Sequence, residues 1–475
     1  MDYSNFLLMQ QEISLIVVFL LLLFYDIFGS EKSLSYFQPV ACTLFFLHTL
    51  FGIIHPVYYG EGFGGMFVNT PISILMKNVL NIGTMIVLLQ TGQWLKKPDV
   101  VLRRGEFFTI TLSTLLGMYF MVSAGNFLML YIGMELASLP LAILATYNKF
   151  KQESAEAGAK FILLASLSSA IMLFGVSYIY GNVGTLYFED VAGKILTAHP
   201  MIIFGFVLFF SGLAFKLSLV PFHFWTPDVY QGAPTSVTAY LSVISKGAAT
   251  FTLLFVLYRV FFSIKEVWEP ILWWLSVITI TLGNFFALRQ QHIKRFFAFS
   301  SISQAGYILL GVLSGTAQGM ASTVYFVLIY IFSNLAAFGV ITAIENQTGR
   351  IRISEYNGLY KTNPKLSLVM MLAVFSLGGI PPFAGFFSKF FIFAAAAEQG
   401  QYVLVFIALL NTVISLFYYL LIVKAMFINK SDSPVERIYT DGYNRSSLFI
   451  CFAGIILIGL VSCIYGRIDA LSFGI

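Results

Sequence analysis

The sequence predicts an all-α integral membrane protein of about fourteen transmembrane helices. Of its 475 residues, 58% are hydrophobic and only 10% charged, against about 25% charged in soluble globular proteins. The apolar runs are about 20 residues long and lack a period of two, which marks spanning helices rather than barrel strands. Between the runs, Lys and Arg collect in every second loop. Lipid offers backbone N–H and C=O groups no partner, so helices that satisfy them internally are the architecture left. Phenylalanine, with fifty copies, dominates the aromatics and suits lipid-facing surfaces.

The first apolar stretch, 13–28, has neither a basic n-region nor a small-residue cleavage site, and reads as a retained span rather than a signal peptide. Further spans are expected at 34–54, 74–94, 107–123, 126–146, 158–180, 201–223, 235–262, 271–288, 296–315, 320–344, 366–394, 402–427 and 446–465. The loops on one side then hold Lys32, Lys96, Lys97, Arg103, Arg104, Lys149, Lys151, Arg289, Lys294, Arg295, Arg350, Arg352, Lys361, Lys365, Lys430, Arg437 and Arg445. Those on the other hold only Lys77, Lys194, Arg259, Lys265 and Arg467. An excess of Lys and Arg marks the cytoplasmic face, so both termini are expected outside. The net charge of +5 points to no particular partner, and no nucleic acid is expected.

Two spans carry internal breaks. The seventh has Lys216 and then Pro221; the twelfth has Gly378, Gly379, Pro381, Pro382 and Gly385, then Lys389. Proline removes a backbone donor and clashes with the preceding turn. At membrane depth, broken helices are tolerated where they line protein or a cavity, and in transporters they mark the ion site. The breaks lie five spans apart, and an odd number of spans inverts a unit. The expectation is one membrane domain with accessory helices over 1–94, inverted five-helix repeats over 107–262 and 271–427, and a C-terminal helix at 446–465.

Within the apolar segments stand Glu135, Lys160, Lys216, Lys246 and Lys389. A lysine at the centre of a span costs about 2.5–3.5 kcal/mol on insertion scales, and such residues commonly mark ion or proton paths. Snorkelling to the interface accounts well enough for Lys160 and Lys424. It fits Lys246, well inside a long span, poorly, and it fits Lys216 and Lys389, beside helix breaks, no better. A carboxylate stabilises an ammonium that burial disfavours. A Glu135–Lys216 pair is therefore expected to hold a proton, with Lys246 and then Lys389 as acceptors along water chains. His223, just after the first break, titrates near neutral pH and is either a relay or a hydrogen-bonding support for the broken helix. Asp228 and Tyr230, in a short cytoplasmic turn, are expected to be structural.

Other signals fall away. The string GEGFGG, Gly60 to Gly65, matches a dinucleotide-binding pattern, but it lies in an external loop without the strand–helix context that pattern needs, and reads as flexible. His48 and His55 read as interfacial or packed. Cys42, Cys451 and Cys463 suggest neither a disulfide framework nor a metal site. No cofactor or metal is expected on this chain.

Four strings are distinctive: KLSLVPFHFWTPDVYQGAPTSVTAYLSVISK, GMELASLPL, QHIKRFFAFSSISQAGY and GGIPPFAGFFSKFFIF. Together they resemble subunit N of bacterial respiratory complex I, the NADH–quinone oxidoreductase, an antiporter-like membrane subunit. The resemblance runs from about 107 to 427. It implies fourteen helices, inverted repeats and a proton channel in the bacterial inner membrane. The family's acid matches Glu135, its lysines of the broken seventh, the eighth and the broken twelfth helices match Lys216, Lys246 and Lys389, and a sixth-helix lysine matches Lys160. It also implies that NADH, FMN, iron–sulfur clusters and quinone belong to partner subunits, and that sister antiporter-like subunits adjoin this one. The rival reading is a sodium/proton antiporter subunit with no redox link; the TPDVYQG string favours the first.

Overall fold

The computed structural model describes residues 4–55, 58–195, 199–431, 433–461 and 463–472. Among them, thirteen helices are long and apolar enough to cross a membrane. In order they are Gln10–Phe28, Phe37–Ile54, Pro71–Gln90, Val101–Val122, Phe127–Ala145, Gln152–Val183, Pro200–Leu217, Thr235–Arg259, Phe262–Ala287, Ile293–Leu313, Ala317–Thr348, Tyr402–Phe427 and Gly442–Leu460. The remaining span, twelfth in the chain, is split into Pro364–Gly378 and Ala384–Glu398. These are spans 1 to 14 in sequence order, as the hydropathy pattern predicts.

Spans 6 and 11 are each 32 residues long and overrun their apolar stretches. Good helix formers such as Glu153, Glu156 and Gln347 carry the helix past the hydrocarbon. Each ends where a glycine turns left-handed, Gly184 at φ 77° and Gly349 at φ 70°, which a residue with a Cβ adopts reluctantly.

Spans 8, 10 and 11 are wholly enclosed by the others. Spans 1, 6, 9, 13 and 14 face outward along most of their length. Helix pairs approach closely where side chains are absent. A Cβ on Gly117 of span 4 would lie 2.4 Å from the Ala137 nitrogen of span 5, so glycine alone permits this crossing. Spans 9 and 10 cross in the same way at Gly283 and Gly306.

The GEGFGG string is not a loose loop. Gly60–Gly62 pairs antiparallel with Phe67–Asn69, and the outer strand is fastened to the turn between spans 4 and 5 by Val68 N–H to Ser123 O (2.9 Å) and Gly125 N–H to Met66 O (2.8 Å). The turn residues Phe63, Gly64 and Gly65 all have positive φ, which the glycines supply without strain.

Candidate functional site

Both breaks are built alike. Span 7 ends with Ser218 at φ 61°, and Leu219 N–H reaches back to Ala214 O. The first half of span 12 ends with Gly379 at φ 83°, and Ile380 N–H reaches back to Phe375 O. Each is the left-handed cap that satisfies a helix's last carbonyls. A cis proline follows in both, at Val220–Pro221 and Pro381–Pro382. Ser218 lacks glycine's freedom, and Thr226, donating to its Oγ at 2.6 Å, holds it in place. Trp225 Nε1–H caps Phe215 O at 3.0 Å.

After the first break the chain is helical again over Trp225–Gly232, so the expected turn is a correction. Pro227 suits the first turn of a helix, where its missing N–H loses nothing. Tyr230 is fully buried and lies with Lys246, whose Nζ is 5.7 Å from its ring. Asp228 faces the other way. It binds Lys160 Nζ at 2.6 Å and Arg295 at 2.7 Å, tying span 6 to span 10. Partial burial alone would raise its pKa; the Lys160 ammonium and the Arg295 guanidinium overcome this and hold the carboxyl below its ordinary value.

The expected lysines separate into two groups. Lys216, Lys246 and Lys389 are 5%, 3% and 5% exposed. Lys160 is different: its side chain is 40% exposed and held by Glu156 and Asp228, both at 2.6 Å, as a surface cation.

Lys216 sits in the last turn of span 7, and its Nζ has no hydrogen-bond partner among the described residues. The expected Glu135–Lys216 ion pair is not formed among them either. Glu135 is instead hydrogen-bonded by Ser169 Oγ of span 6. His223 is buried behind Pro221, and its ring lies 4.5 Å from that of Phe224.

Lys246 follows a five-residue π-helical stretch, Leu241–Ser245, inside span 8. Such widened turns recur at functional sites because they re-aim the residues beside them. Its Nζ donates to Ser301 Oγ of span 10 at 2.5 Å. Around it the enclosed spans carry further polar groups: Asn334 Nδ2 donates to Ser242 Oγ at 2.9 Å and to Tyr330 Oη at 3.1 Å. A small cavity lined by Gln304, Tyr330, Ser333, Ser376 and Lys389 lies beyond. Lys389 donates to Leu377 O at 2.9 Å and Gly378 O at 3.2 Å, the exposed carbonyl end of the first half-helix, where the helix dipole favours a cation. Polar side chains thus lie between Lys246 and Lys389.

On the side where spans 8 and 10 begin and span 11 ends, residues that the sequence marked at most as loop charges, and not as site residues, come together. Glu345 faces Lys294 at 3.6 Å and is hydrogen-bonded by Thr235; Lys294 also donates to Ala233 O at 3.0 Å. Glu345 and Thr235 border a cavity of about 330 Å³ lined also by Lys97, Asp99 and Lys151. No periodic signal marked them, since each lies at a span end where charge is ordinary. No group of three or more His, Cys, Asp or Glu able to hold a metal occurs among the described residues.

The profile of the NADH:quinone oxidoreductase/Mrp antiporter transmembrane family matches residues 124–415. NADH-quinone oxidoreductase subunit N of Azobacteroides pseudotrichonymphae is 60% identical, over 100% of this chain and 99% of that protein. The subunit N of Phocaeicola vulgatus is 55% identical over 98% of each. A chain of respiratory complex I from Thermus thermophilus superposes with a TM-score of 0.80 at 27% identity, covering 98% of this chain and 100% of that one. Broken seventh and twelfth spans, buried lysines beside them and these matches along the full length agree: the chain belongs to the NADH:quinone oxidoreductase/Mrp antiporter transmembrane family, among its NADH-quinone oxidoreductase N subunits.

Proposed function

We propose that this chain translocates protons across the membrane as the antiporter-like N subunit of an NADH–quinone oxidoreductase, driven by electron transfer on other subunits. The carrying observation is the set of three lysines enclosed in the bundle, with Lys246 and Lys389 joined by hydroxyl, phenol and amide groups of the enclosed spans. Lysine releases its proton readily when buried, which arginine does not. Protons enter by the mouth at Glu345 and Lys294, pass Lys216 and Lys246, and reach Lys389 on the outward half of span 12. His223, beside the first break, supports this relay, and the Glu135 carboxylate tunes Lys216. Lys160, held on the surface with Asp228, acts as a fastening rather than a carrier.

This reading includes inverted repeats over 107–262 and 271–427, a bacterial inner membrane, both termini on its outer side, and sister antiporter-like subunits as neighbours. NADH, FMN, iron–sulfur clusters and quinone are assigned to partner subunits. The full-length likeness to subunits named for NADH–quinone oxidoreductase favours redox coupling over a free-standing sodium/proton antiporter.

The test is NADH-driven proton uptake by inverted vesicles, with complex content measured separately. Lys216→Ala and Lys216→Arg should both assemble and both fail to pump. Near-normal pumping by Lys216→Arg would show a fixed charge and sink the relay.

A further inference from the structure

A second buried ion pair lies outside the lysine chain. Lys77, in span 3, meets Glu12 of span 1 at 2.6 Å, and the two side chains are 1% and 0% exposed. Lys77 was expected in a loop, by its nearness to the start of span 3. It is instead six residues inside the helix, about 9 Å along the axis, beneath the Gly60–Asn69 hairpin. Asn69 of that hairpin accepts from its Nζ at 3.3 Å, and the rings of Phe67 and Tyr119 lie 5.1 and 5.8 Å away.

The pair heads a polar stripe. On span 3, Lys77, Asn81 and Thr84 fall at i, i+4 and i+7, one face of a helix. Each meets a polar partner on another span. Asn81 is hydrogen-bonded by Tyr119 Oη of span 4. His48 of span 2 lies 3.1 Å from that phenol and 3.4 Å from Asn81 Nδ2, with its other nitrogen 3.0 Å from Ser14. Thr84 reaches Tyr240 of span 8, whose phenol is 2.9 Å from Thr114. Tyr240 stands six residues before Lys246 and adjoins the π-helical stretch. Hydroxyls, two phenols, an amide and an imidazole are therefore spread along span 3 from the neighbourhood of Lys246 to the hairpin side.

A pair that only pinned helices together would need no such stripe behind it. We propose that Glu12 and Lys77 form a further proton-transfer station of this subunit, at the hairpin end of a branch that leaves the lysine chain at Tyr240. A proton arriving through the His48–Tyr119–Asn81 cluster adds to the Lys77 amine; the ammonium is held by the Glu12 carboxylate, and its proton then leaves toward Asn69 and the hairpin, restoring the amine. The proposal rests on the proton-translocating function above.

The test uses the assembled complex in inverted vesicles. Lys77→Arg keeps the charge and the pair but not an easily released proton; the double variant Glu12→Gln/Lys77→Met removes both charges and leaves no lone buried ion. Lys246→Ala reports on the main chain. Loss of NADH-driven proton uptake in Lys77→Arg and in the double variant, at unchanged complex content, is the expected result. Near-normal uptake in Lys77→Arg, or in the double variant, while Lys246→Ala fails would make the pair a structural clip and overturn the proposal alone. Near-normal uptake in all three would overturn both the station and the lysine relay.

Discussion

Lys246 shows how little holds the proposed carrier. Its ammonium donates to the Ser301 hydroxyl and otherwise faces the ring of Tyr230. A hydrogen bond to a charged group contributes about 1.5–3 kcal/mol. Ser301→Ala should therefore slow pumping by about tenfold or more while the complex still assembles; stopped-flow proton uptake measures it, and an unchanged rate would remove Ser301 from the route. Lys216, Lys246 and Lys389 were legible in the sequence because a charge inside an apolar run has few benign explanations. Lys77 was not, because six residues from a span end is also where a loop-side lysine stands, and Glu12 is too distant in sequence to be paired with it by eye. The Glu135–Lys216 pairing was drawn from charge alone. Glu135 instead takes its hydrogen bond from Ser169, a neutral residue whose local sequence announces nothing of the kind.

At the scale of elements, the halves of span 12 are seated on each other. A Cβ on Gly385 would lie 1.7 Å from Ser376 O, so Gly385→Ala must push Ala384–Glu398 outward and shift Lys389 from its carbonyls. Overpacking of this kind destabilises by about 1–3 kcal/mol, and the expected outcome is impaired proton uptake with complex content lowered by less. The breaks themselves were legible from Pro221, Pro381 and Pro382. The helix Trp225–Gly232 was hidden by Pro227 and Asp228, which read equally as turn residues. That helix is clamped by Asp228 to Lys160 and Arg295. Because the folded carboxyl sits below its ordinary value, the clamp is fully present above the usual carboxylate range and is lost as pH falls through the lowered value. The protection of amides 225–232, taken relative to the intrinsic exchange rate at each pH, should fall on acidification in that range, and Asp228→Asn should show low protection at neutral pH and abolish the dependence.

For the whole molecule, the alternation of basic loops predicts which face is which. On the proposed orientation Cys463, the exposed native cysteine, lies on the outer side. A membrane-impermeant maleimide should label it in intact spheroplasts, and a cysteine at Lys96 only in inverted vesicles; the reverse pattern would turn the molecule over. Span number and order were readable from hydropathy alone, since lipid imposes length. Which spans are enclosed was not, because all are apolar and only packing sorts them. That sorting has a consequence for biogenesis. Spans 8, 10 and 11 carry Lys246, Ser301, Gln304, Ser333 and Asn334, yet complete their enclosure only against elements made later: Gly385 and Ser376 of span 12, Tyr419 of span 13, and Gly454 of span 14, which touches Phe332. During synthesis the polar centre is therefore without its final wall until the last three spans are inserted. A nascent chain stalled after residue 348 would present amides and an ammonium to lipid or to the insertion machinery, and should be held there or degraded rather than released as a partly folded bundle.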